Sequence, residues 1–516
     1  MTILCVAVTL DVAILAIATL ASRRRLAKQD ASSARGGVLH TCFRLQYQCQ
    51  KRAHAIACTG PYQTAAKLTV GLRTHGNRTV KIKHAVLLAL VVSAAPCARA
   101  GSAPDIEGEW EVTTAYPGSS SVARIEIRKE GDSYTGQSGW LFPAFAPFTY
   151  SGKTEKGAVR FTVTYGGRDQ IGDLVLRTER GMLKGTGTIH GVAVSITGHR
   201  PAERSANAPR VHDFNPSVFY RTLSGAHPVA LRVFPGDTIR TSTVDAGGMD
   251  GNDKLRCPPG NPVTGPFYIE GAMPGDTLAV HFNHIRPNRR WASQQRAVVY
   301  PIALKPGYPQ TPTPQWSERW TLDLENGTAK PDGVSEKLRD FSVKLQPMLG
   351  VVGVAPFWDQ AVSAPDLGRW GGNLDYNGIR DGVTLYFTVY QAGGMLFFGD
   401  GHALQGDGEI TGQGLEISMD VDLTVDVIRG PYLDQPWAEN DEYIMVSGID
   451  GSLTSALQAA TSGLTRWMAQ RYKLNDSEIA TVLANAIQYD IAEVVDPHTH
   501  VVAKIRKEVL SQLQKP

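Results

Sequence analysis

The stretch 370–416 constrains the fold most, because glycines and acidic residues alternate there with apolar runs. Its centre reads Gly-Asp-Gly-His at 399–402 and Gln-Gly-Asp-Gly-Glu at 405–409. The apolar runs 385–390 and 395–398 before it are typical of buried strands. Glycine permits a backbone with positive φ and a close approach to a ligand. The pattern therefore predicts a tightly bent, acid-bearing segment at the end of a buried strand.

The ionisable side chains of this segment form a candidate site. Residues two apart in a strand share a face, which would place Asp400 with His402 and Asp407 with Glu409. Four ionisable groups within ten residues suit a metal site or an acid/base site. An alternative interpretation is a polar hairpin tip, because Asp-Gly is a common turn sequence in hairpins. The spacing alone leaves both interpretations open.

A series of short glycine-, proline- and acid-containing blocks extends over about residues 208–510. They are Phe234–Asp237, Thr243–Gly248, Asn261–Gly271, Pro274–Thr277, Gly350–Pro356, Gly371–Asp375, Gly399–Glu409 and Val494–Pro497. Each block is weakly specific alone, but their joint order and spacing resembles the acetamidase/formamidase family. The resemblance implies hydrolysis of a small carboxamide to a carboxylate and ammonia. The residues before about 205 lie outside it.

The sequence lacks the signatures of several other hydrolases. It has no Gly-x-Ser-x-Gly nucleophile elbow, no His-Glu-x-x-His zinc helix and no P-loop. Hydrolysis of an unactivated amide needs a strong nucleophile, a polarised carbonyl and a proton for the leaving ammonia. A divalent ion supplies the first two, because it lowers the pKa of a bound water and polarises the carbonyl. We therefore expect a metal-activated water, at positions that the family resemblance supports.

We expect Asp400, His402 and Asp375 to bind the ion. Glu409 is the candidate general base and later the acid, and Asp407 would bind the ion or orient His402. The candidate catalytic residues are Glu409, Asp407 and Asp375, and the candidate substrate-binding or supporting residues are Asp245, Asn373 and Gln405. Mixed nitrogen and oxygen ligands favour zinc, with calcium or manganese as alternatives.

Two further hypotheses remain open at this point. The first is a metal-free amidase that uses a pair formed by Glu409 and Asp407. The second is an extracytoplasmic protein that binds a small ligand or a carbohydrate on the same fold without catalysis. We expect a small amide as the substrate, and the composition leaves a homo-oligomer open.

The beginning of the chain differs in charge from the remainder. Residues 1–100 contain 14 basic and 2 acidic side chains, and the remaining residues carry a net charge of −9. An acidic body argues against a nucleic-acid partner. Residues 80–100 combine a basic start, an apolar run and an Ala-Arg-Ala end, the pattern of a signal peptide. We therefore expect a periplasmic or secreted protein that is not membrane-bound after cleavage.

The segment that precedes this signal has two interpretations. Residues 1–79 lack hydrophobic periodicity, so we interpret them as an upstream extension from a mis-assigned start, or as disordered. The alternative takes 3–21 as a membrane anchor, but Asp11 interrupts that marginal run. Five of the six cysteines precede residue 100, so the mature chain is expected to contain no internal disulfide.

The sequence predicts a mainly β fold in two parts. Short strands and turns over 105–200 predict a small antiparallel β domain, a sandwich or barrel, within 101–203. Residues 204–516 are expected to form a β-sandwich-rich α+β amidase domain with C-terminal helices. Helical periodicity predicts those helices over 452–472 and 475–493. The basic loop at 286–290 is expected to be a solvated face, with substrate gating as the alternative.

Overall fold

The structure is a computed structural model of the chain. It describes residues 105–138, 147–205, 208–312, 318–358, 360–430 and 433–514. The predicted upstream segment 1–79 and signal peptide 80–100 lie outside the described residues. Within the described ranges, no helix is both long and apolar enough to cross a membrane.

The first part of the described chain is a closed antiparallel barrel. Its strands are β1 (Gly108–Tyr116), β2 (Ser119–Glu130), β3 (Ser133–Ser138), β4 (Phe148–Glu155), β5 (Ala158–Tyr165), β6 (Asp169–Glu179), β7 (Met182–Ile189) and β8 (Val192–His199). Consecutive strands pair with each other, and β8 pairs back with β1. Alternate side chains such as Trp110, Phe161 and Ile196 fill the interior. The predicted small antiparallel β domain is thus a barrel.

Arg124 on β2 joins the barrel to the rest of the chain. Its guanidinium donates hydrogen bonds to both carboxylate oxygens of Asp276, each at 2.9 Å, and to the Gly271 carbonyl at 2.6 Å. Glu109 of the barrel accepts a bidentate pair from Arg429 at 2.8 Å. These ion pairs fix the strands β1 and β2 against the second part of the chain.

The second part contains two large sheets and one small ladder. The eleven-stranded sheet contains β11 (Leu231–Val233), β13 (Val263–Ile269), β15 (Trp291–Ser293), β16 (Arg319–Asp323), β17 (Thr328–Pro331), β18 (Val343–Lys344), β19 (Met348–Val354), β21 (Leu367–Gly368), β22 (Gly371–Asn373), β24 (Leu396–His402) and β25 (Glu416–Ile417). The nine-stranded sheet contains β9 (Val211–Asp213), β12 (Thr238–Ser242), β14 (Thr277–Pro287), β23 (Thr384–Thr388), β26 (Met419–Ile428), β27 (Trp437–Glu439), β28 (Tyr443–Asp450), β29 (Gln488–Glu493) and β30 (Thr499–Arg506). The small ladder pairs β10 (Thr222–Leu223) with β20 (Val362–Ser363).

The two large sheets share one apolar core. Phe282 and Leu423 from the nine-stranded sheet belong to the same buried cluster as Val352 and Phe398 from the eleven-stranded sheet. Every residue of β19 and β24 is buried, so these neighbouring strands lie at the centre. The strand β26 alternates, with exposed acids such as Asp420 opposite a buried face. The mainly β architecture predicted from the sequence is confirmed.

Three helices follow in the C-terminal region: α1 (Leu453–Tyr472), α2 (Asp476–Ala486) and α3 (Lys507–Leu510). Leu464 of α1 is buried against Val446 and Val501 of the nine-stranded sheet. Asn475 and Glu478 form a capping box at the start of α2. The predicted end of α2 at Glu493 is wrong, because the chain from Gln488 is extended and pairs with β30.

Candidate active site

The candidate site lies at the C-terminal end of β24. This strand pairs with β19 along one edge and with β13 and β25 along the other, which buries its last residues completely. As predicted, Asp400 and His402 face the same cluster, with Oδ1 of Asp400 3.7 Å from Nε2 of His402. Asp375, two residues after β22, brings its Oδ1 to 3.7 Å from Nδ1 of His402. The three predicted ion ligands therefore meet.

Four residues of the site have a left-handed backbone. The φ angles are +38° at Asp375, +55° at Asp400, +44° at Glu409 and +50° at Asn261. Positive φ is uncommon outside glycine and costs on the order of 1–3 kcal/mol where it is strained. Such conformations cluster at functional sites, where the surrounding structure holds them. Their concentration here supports the assignment of this cluster as the functional site.

Two glycines leave room for the side chains of the cluster. A Cβ at Gly350 would lie 2.4 Å from Asp375 Oδ1 and 2.9 Å from Asp400 Oδ2. A Cβ at Gly414 would lie 2.6 Å from Nδ1 of His402. These distances are shorter than any ordinary non-bonded contact, so only glycine fits at either position without displacing a neighbour.

Gln405 sets the tautomer of His402. Its Nε2 donates to the carbonyl oxygens of Asp375, at 2.5 Å, and Ala492, at 3.3 Å, so its Oε1 must be an acceptor. Nδ1 of His402 lies 2.8 Å from that oxygen and therefore carries a hydrogen. Nε2 of His402 is then the nitrogen that can exchange a proton for a metal ion.

Glu416 is a site residue that the sequence patterns did not indicate. It lies directly opposite His402 in the ladder between β24 and β25, with its Oε2 3.3 Å from Nε2 of His402. Its other oxygen accepts a hydrogen bond from the Gly414 backbone at 3.0 Å. Glu416 is the last residue of the glycine-rich stretch. A predicted hairpin in which the residues after the turn pair with β24 would have placed Glu416 beside His402.

Asp496 is a second missed residue, although its block contributed to the family resemblance. Its Oδ2 accepts a hydrogen bond from Nδ2 of Asn373 at 2.5 Å. The same Asn373 nitrogen donates to Oδ2 of Asp375. Asn373 is buried and donates a hydrogen bond to each of these two aspartates. This arrangement is of the supporting type that was expected for Asn373.

Burial dominates the electrostatics of the cluster. It raises the pKa of Glu416 to about 7 and that of Asp496 to about 7. Burial also raises the pKa values of Asp375 and Glu409 well above their ordinary range. Burial lowers the pKa of His402, but Glu416 and Asp400 outweigh it and raise that pKa well above its ordinary value. So many buried acids require protons or a bound cation.

The residues present fit a metal ion. Among the described residues, Asp375 Oδ1, Asp400 Oδ1 and Glu416 Oε2 are buried without a hydrogen-bond partner. Ligand atoms of Asp375, Asp400 and His402 lie within 4.8 Å of one another, and so do those of His402, Glu409 and Glu416. A buried carboxylate oxygen without a partner is costly, and a divalent cation would compensate it.

Asp407 lies outside the cluster, which corrects one expectation. Its side chain is exposed and accepts a hydrogen bond from Nδ2 of Asn377 at 2.7 Å. The chain turns after His402 instead of continuing as a strand, so the expected alternation of Asp407 with Glu409 does not apply. Gln405, not Asp407, contacts Nδ1 of His402.

Asp245 lies behind the cluster. Its carboxylate forms a buried ion pair with Arg289 at 2.6 Å, and the same guanidinium nitrogen donates to the Glu416 carbonyl at 3.3 Å. Asp245 thus supports the backbone of β25 through Arg289. The predicted solvated face at 286–290 is wrong for Arg289, because its charge is paired in the interior.

A pocket with a volume of about 170 Å³ lies beside Glu409. Gln405, Gly414 and Trp320 contribute to its wall. Asp375, Asp400 and Glu416 do not line it, and the side chain of Glu409 is only 6% exposed. Glu409 therefore contributes both to the pocket wall and to the buried cluster that it forms with His402 and Glu416.

Comparison with known proteins agrees with the resemblance seen in the sequence. Residues 359–497 match the model of the Acetamidase/Formamidase family. A 60-residue stretch is 43% identical to a formamidase of Methylophilus methylotrophus. That stretch covers 11% of this chain and 15% of the formamidase, so it relates only a short part of the two proteins.

Two solved acetamidase structures are similar over a longer range. The acetamidase from Yersinia enterocolitica is 26% identical, covers 61% of this chain and 96% of its own, and superposes with a TM-score of 0.51. The acetamidase from Bacillus halodurans is 25% identical, covers 58% of this chain and 99% of its own, with a TM-score of 0.50. Together with the family model, these similarities confirm the acetamidase/formamidase resemblance.

Proposed function

We propose that this protein hydrolyses a small carboxamide. Residues 359–497 match the model of the Acetamidase/Formamidase family, and nearly the full length of two solved acetamidases is similar to this chain. The products are the carboxylate and ammonia. The observation that carries the proposal is the buried cluster of Asp375, Asp400, His402 and Glu416, whose inward oxygens lack hydrogen-bond partners among the described residues. A protein that only binds a neutral ligand has no need of such a cluster.

Asp375, Asp400 and His402 would hold a divalent ion, with Glu416 as a further ligand. One nitrogen and several carboxylate oxygens favour zinc, and manganese or calcium would also suit the oxygen-rich set. An ion bound there would polarise the amide carbonyl and make water a stronger nucleophile. Gln405 fixes the His402 tautomer, and Arg289 with Asp245 holds the strand that carries Glu416.

Glu409 is proposed to move protons. It lines the pocket and lies within the cluster beside His402 and Glu416, where substrate and attacking water would meet. Burial raises its pKa well above the ordinary value of a carboxyl, and a raised pKa suits a group that accepts a proton and later releases it. As the water oxygen bonds to the carbonyl carbon, Glu409 takes the water proton. It then delivers that proton to the nitrogen as the C–N bond breaks.

The metal-free alternative has less support. It requires Glu409 and Asp407 to act on one substrate, but Asp407 is exposed and hydrogen-bonded to Asn377 outside the cluster. The non-catalytic alternative is not favoured either, since the similarities are to amide hydrolases.

The cellular setting remains part of the proposal. A signal peptide at 80–100 would direct the protein to the periplasm or the exterior, with no membrane attachment after cleavage. The proposed hydrolysis makes a small amide the partner, and the acidic charge of the chain after residue 100 argues against nucleic acid. A homo-oligomer is compatible with this proposal.

Ammonia release tests the proposed function. The purified protein is assayed with formamide, acetamide and propionamide, before chelation, after chelation and after return of Zn²⁺, Mn²⁺ or Ca²⁺. We expect turnover that chelation abolishes and one of the ions restores. Turnover that survives complete metal removal would contradict the metal centre, and no ammonia release under any condition would contradict the amidase assignment.

A further inference from the structure

Two asparagines contact the two candidate aspartate ligands. Asn261 Nδ2 donates to Oδ2 of Asp400 at 2.7 Å and to Oδ1 of Asn373 at 3.0 Å. Asn373 Nδ2 in turn donates to Oδ2 of Asp375 and to Oδ2 of Asp496. Each amide nitrogen thus uses both of its hydrogens within the site.

The network has one direction. Reversing either amide would place its oxygen against a carboxylate oxygen, and two acceptors repel each other. The chain of bonds therefore runs from Asn261 to Asn373 and from each amide to one aspartate. Both aspartates are engaged in the same way, through Oδ2.

The second carboxylate oxygen of each aspartate, Oδ1, takes no part in this network. Oδ1 of Asp375 and Oδ1 of Asp400 lack hydrogen-bond partners within the described part of the chain. Oδ1 of Asp400 lies 3.7 Å from Nε2 of His402, whereas Oδ1 of Asp375 lies 3.7 Å from Nδ1, the nitrogen that donates to Gln405. Ligand atoms of all three residues nevertheless lie within 4.8 Å of one another. Because each Oδ2 already accepts an N–H, the Oδ1 atom without a partner is the oxygen more available to a cation.

We propose that Asn261, acting through Asp400 and Asn373, is a positioning residue that makes each aspartate present a single oxygen to the ion. The inference rests on the proposed metal centre and deepens it. Asn261 received no role from the sequence, although it begins one of the blocks that carry the family resemblance. Its left-handed backbone, with φ +50°, directs the amide toward the cluster, and asparagine tolerates this conformation better than most residues.

The test replaces Asn261 by glycine, which accepts the same backbone conformation and removes the whole side chain with its amide. The matched control is Asn283→Ala. Asn283 Nδ2 donates to Oδ1 of Asp422 at 2.8 Å, an amide–carboxylate bond of the same kind outside the site. Chelated protein is titrated with Co²⁺, followed by visible absorption, which reports the coordination number and geometry of the ion.

We expect Asn261→Gly to bind Co²⁺ about 10–100-fold more weakly, the usual cost of losing a residue that orients a ligand. Its Co²⁺ spectrum should also change, because Asp400 is then free to bind through both oxygens. Asn283→Ala should match the wild type in affinity and spectrum. Circular dichroism checks folding, and if Asn261→Gly does not fold, Asn373→Ala carries the same test at Asp375.

The possible outcomes distinguish the positioning role of Asn261 from the metal centre on which that role depends. Wild-type affinity and spectrum in a folded Asn261→Gly protein would overturn the positioning role and leave the metal centre standing. Wild-type protein that binds no Co²⁺, Zn²⁺ or Mn²⁺ would overturn the metal centre and this inference with it. Amide hydrolysis could then still be assayed independently of the ion.

Discussion

Glu416 lies opposite His402 in the ladder between β24 and β25, with its Oε2 3.3 Å from Nε2 of the imidazole. This oxygen has no hydrogen-bond partner among the described residues, so we expect it to contact the ion. Glu416→Gln keeps the side-chain shape and removes the charge. The variant should bind Zn²⁺ at least about 10-fold more weakly, on the scale seen for residues around a metal. Equilibrium dialysis with metal analysis measures the change, and unaltered affinity would remove Glu416 from the ligand set.

Asp400→Asn and His402→Ala should lose both metal and amidase activity, because each removes a proposed ligand. Asp420→Asn is the control, since Asp420 lies on the exposed face of β26 and should affect neither property. Metal content and ammonia release are measured on the same preparations. A His402→Ala protein with full metal and full rate would exclude the histidine from the site.

Glu409→Gln should separate metal binding from proton transfer. The variant is expected to retain its ion and to turn over about 10²–10⁴-fold more slowly, the usual contribution of a general acid/base. The pH profile of the residual rate should lose the limb that Glu409 titration produces. Loss of the metal in this variant would instead place Glu409 among the ligands.

Gly350→Ala should damage the site without removing any polar group. The new Cβ would lie 2.4 Å from Asp375 Oδ1 and must displace that carboxylate. A displacement near 1 Å at a catalytic group can cost on the order of 10²-fold in rate. Gly451→Ala is the control, because no described heavy atom lies within 4 Å of its Cβ position. Equal rates for the two variants would show that the cluster tolerates the shift.

Glu493→Gln should change how stability depends on pH. Burial raises the pKa of Glu493 to about 8, from the ordinary value of 4.5. Folding therefore favours the protonated acid, so its contribution to stability is complete below pH 4.5 and is lost as the pH rises through about 8.

Glutamine imitates the protonated form of that acid. The variant should match the wild type at pH 5 and exceed its free energy of unfolding by on the order of 1–3 kcal/mol at pH 9. Urea unfolding of chelated protein at both pH values measures the difference. A constant difference between the two proteins would show that Glu493 does not titrate in this range.

Local sequence patterns predicted the strands and part of the site. Apolar runs indicated β23 and β24, and the two-residue period of a strand placed Asp400 with His402, because both are properties of a single strand. The end of α2 was missed, since Tyr489 and Ile491 belong to a strand defined by its pairing with β30. Helical and extended patterns are hard to separate over so few residues.

The missed site residues depend on pairing between distant segments. Glu416 and Arg289 reach the cluster through the ladder of β25 and the ion pair with Asp245. Asp407 shows the converse: its spacing suited the site, but the turn after His402 directs it to solvent. Glycine spacing indicated a bent segment and did not define the direction of each side chain.

The bonds of Arg124 to Asp276 and Gly271 have a consequence for access to the active site. The Arg124 side chain is only 15% exposed and Asp276 only 6%, so separating the barrel from the two-sheet region would strip a paired charge of its partner. Opening and closing by a swing of the barrel is therefore energetically expensive. For the proposed hydrolysis we therefore expect substrate and ammonia to pass through the pocket beside Glu409, without displacement of the barrel.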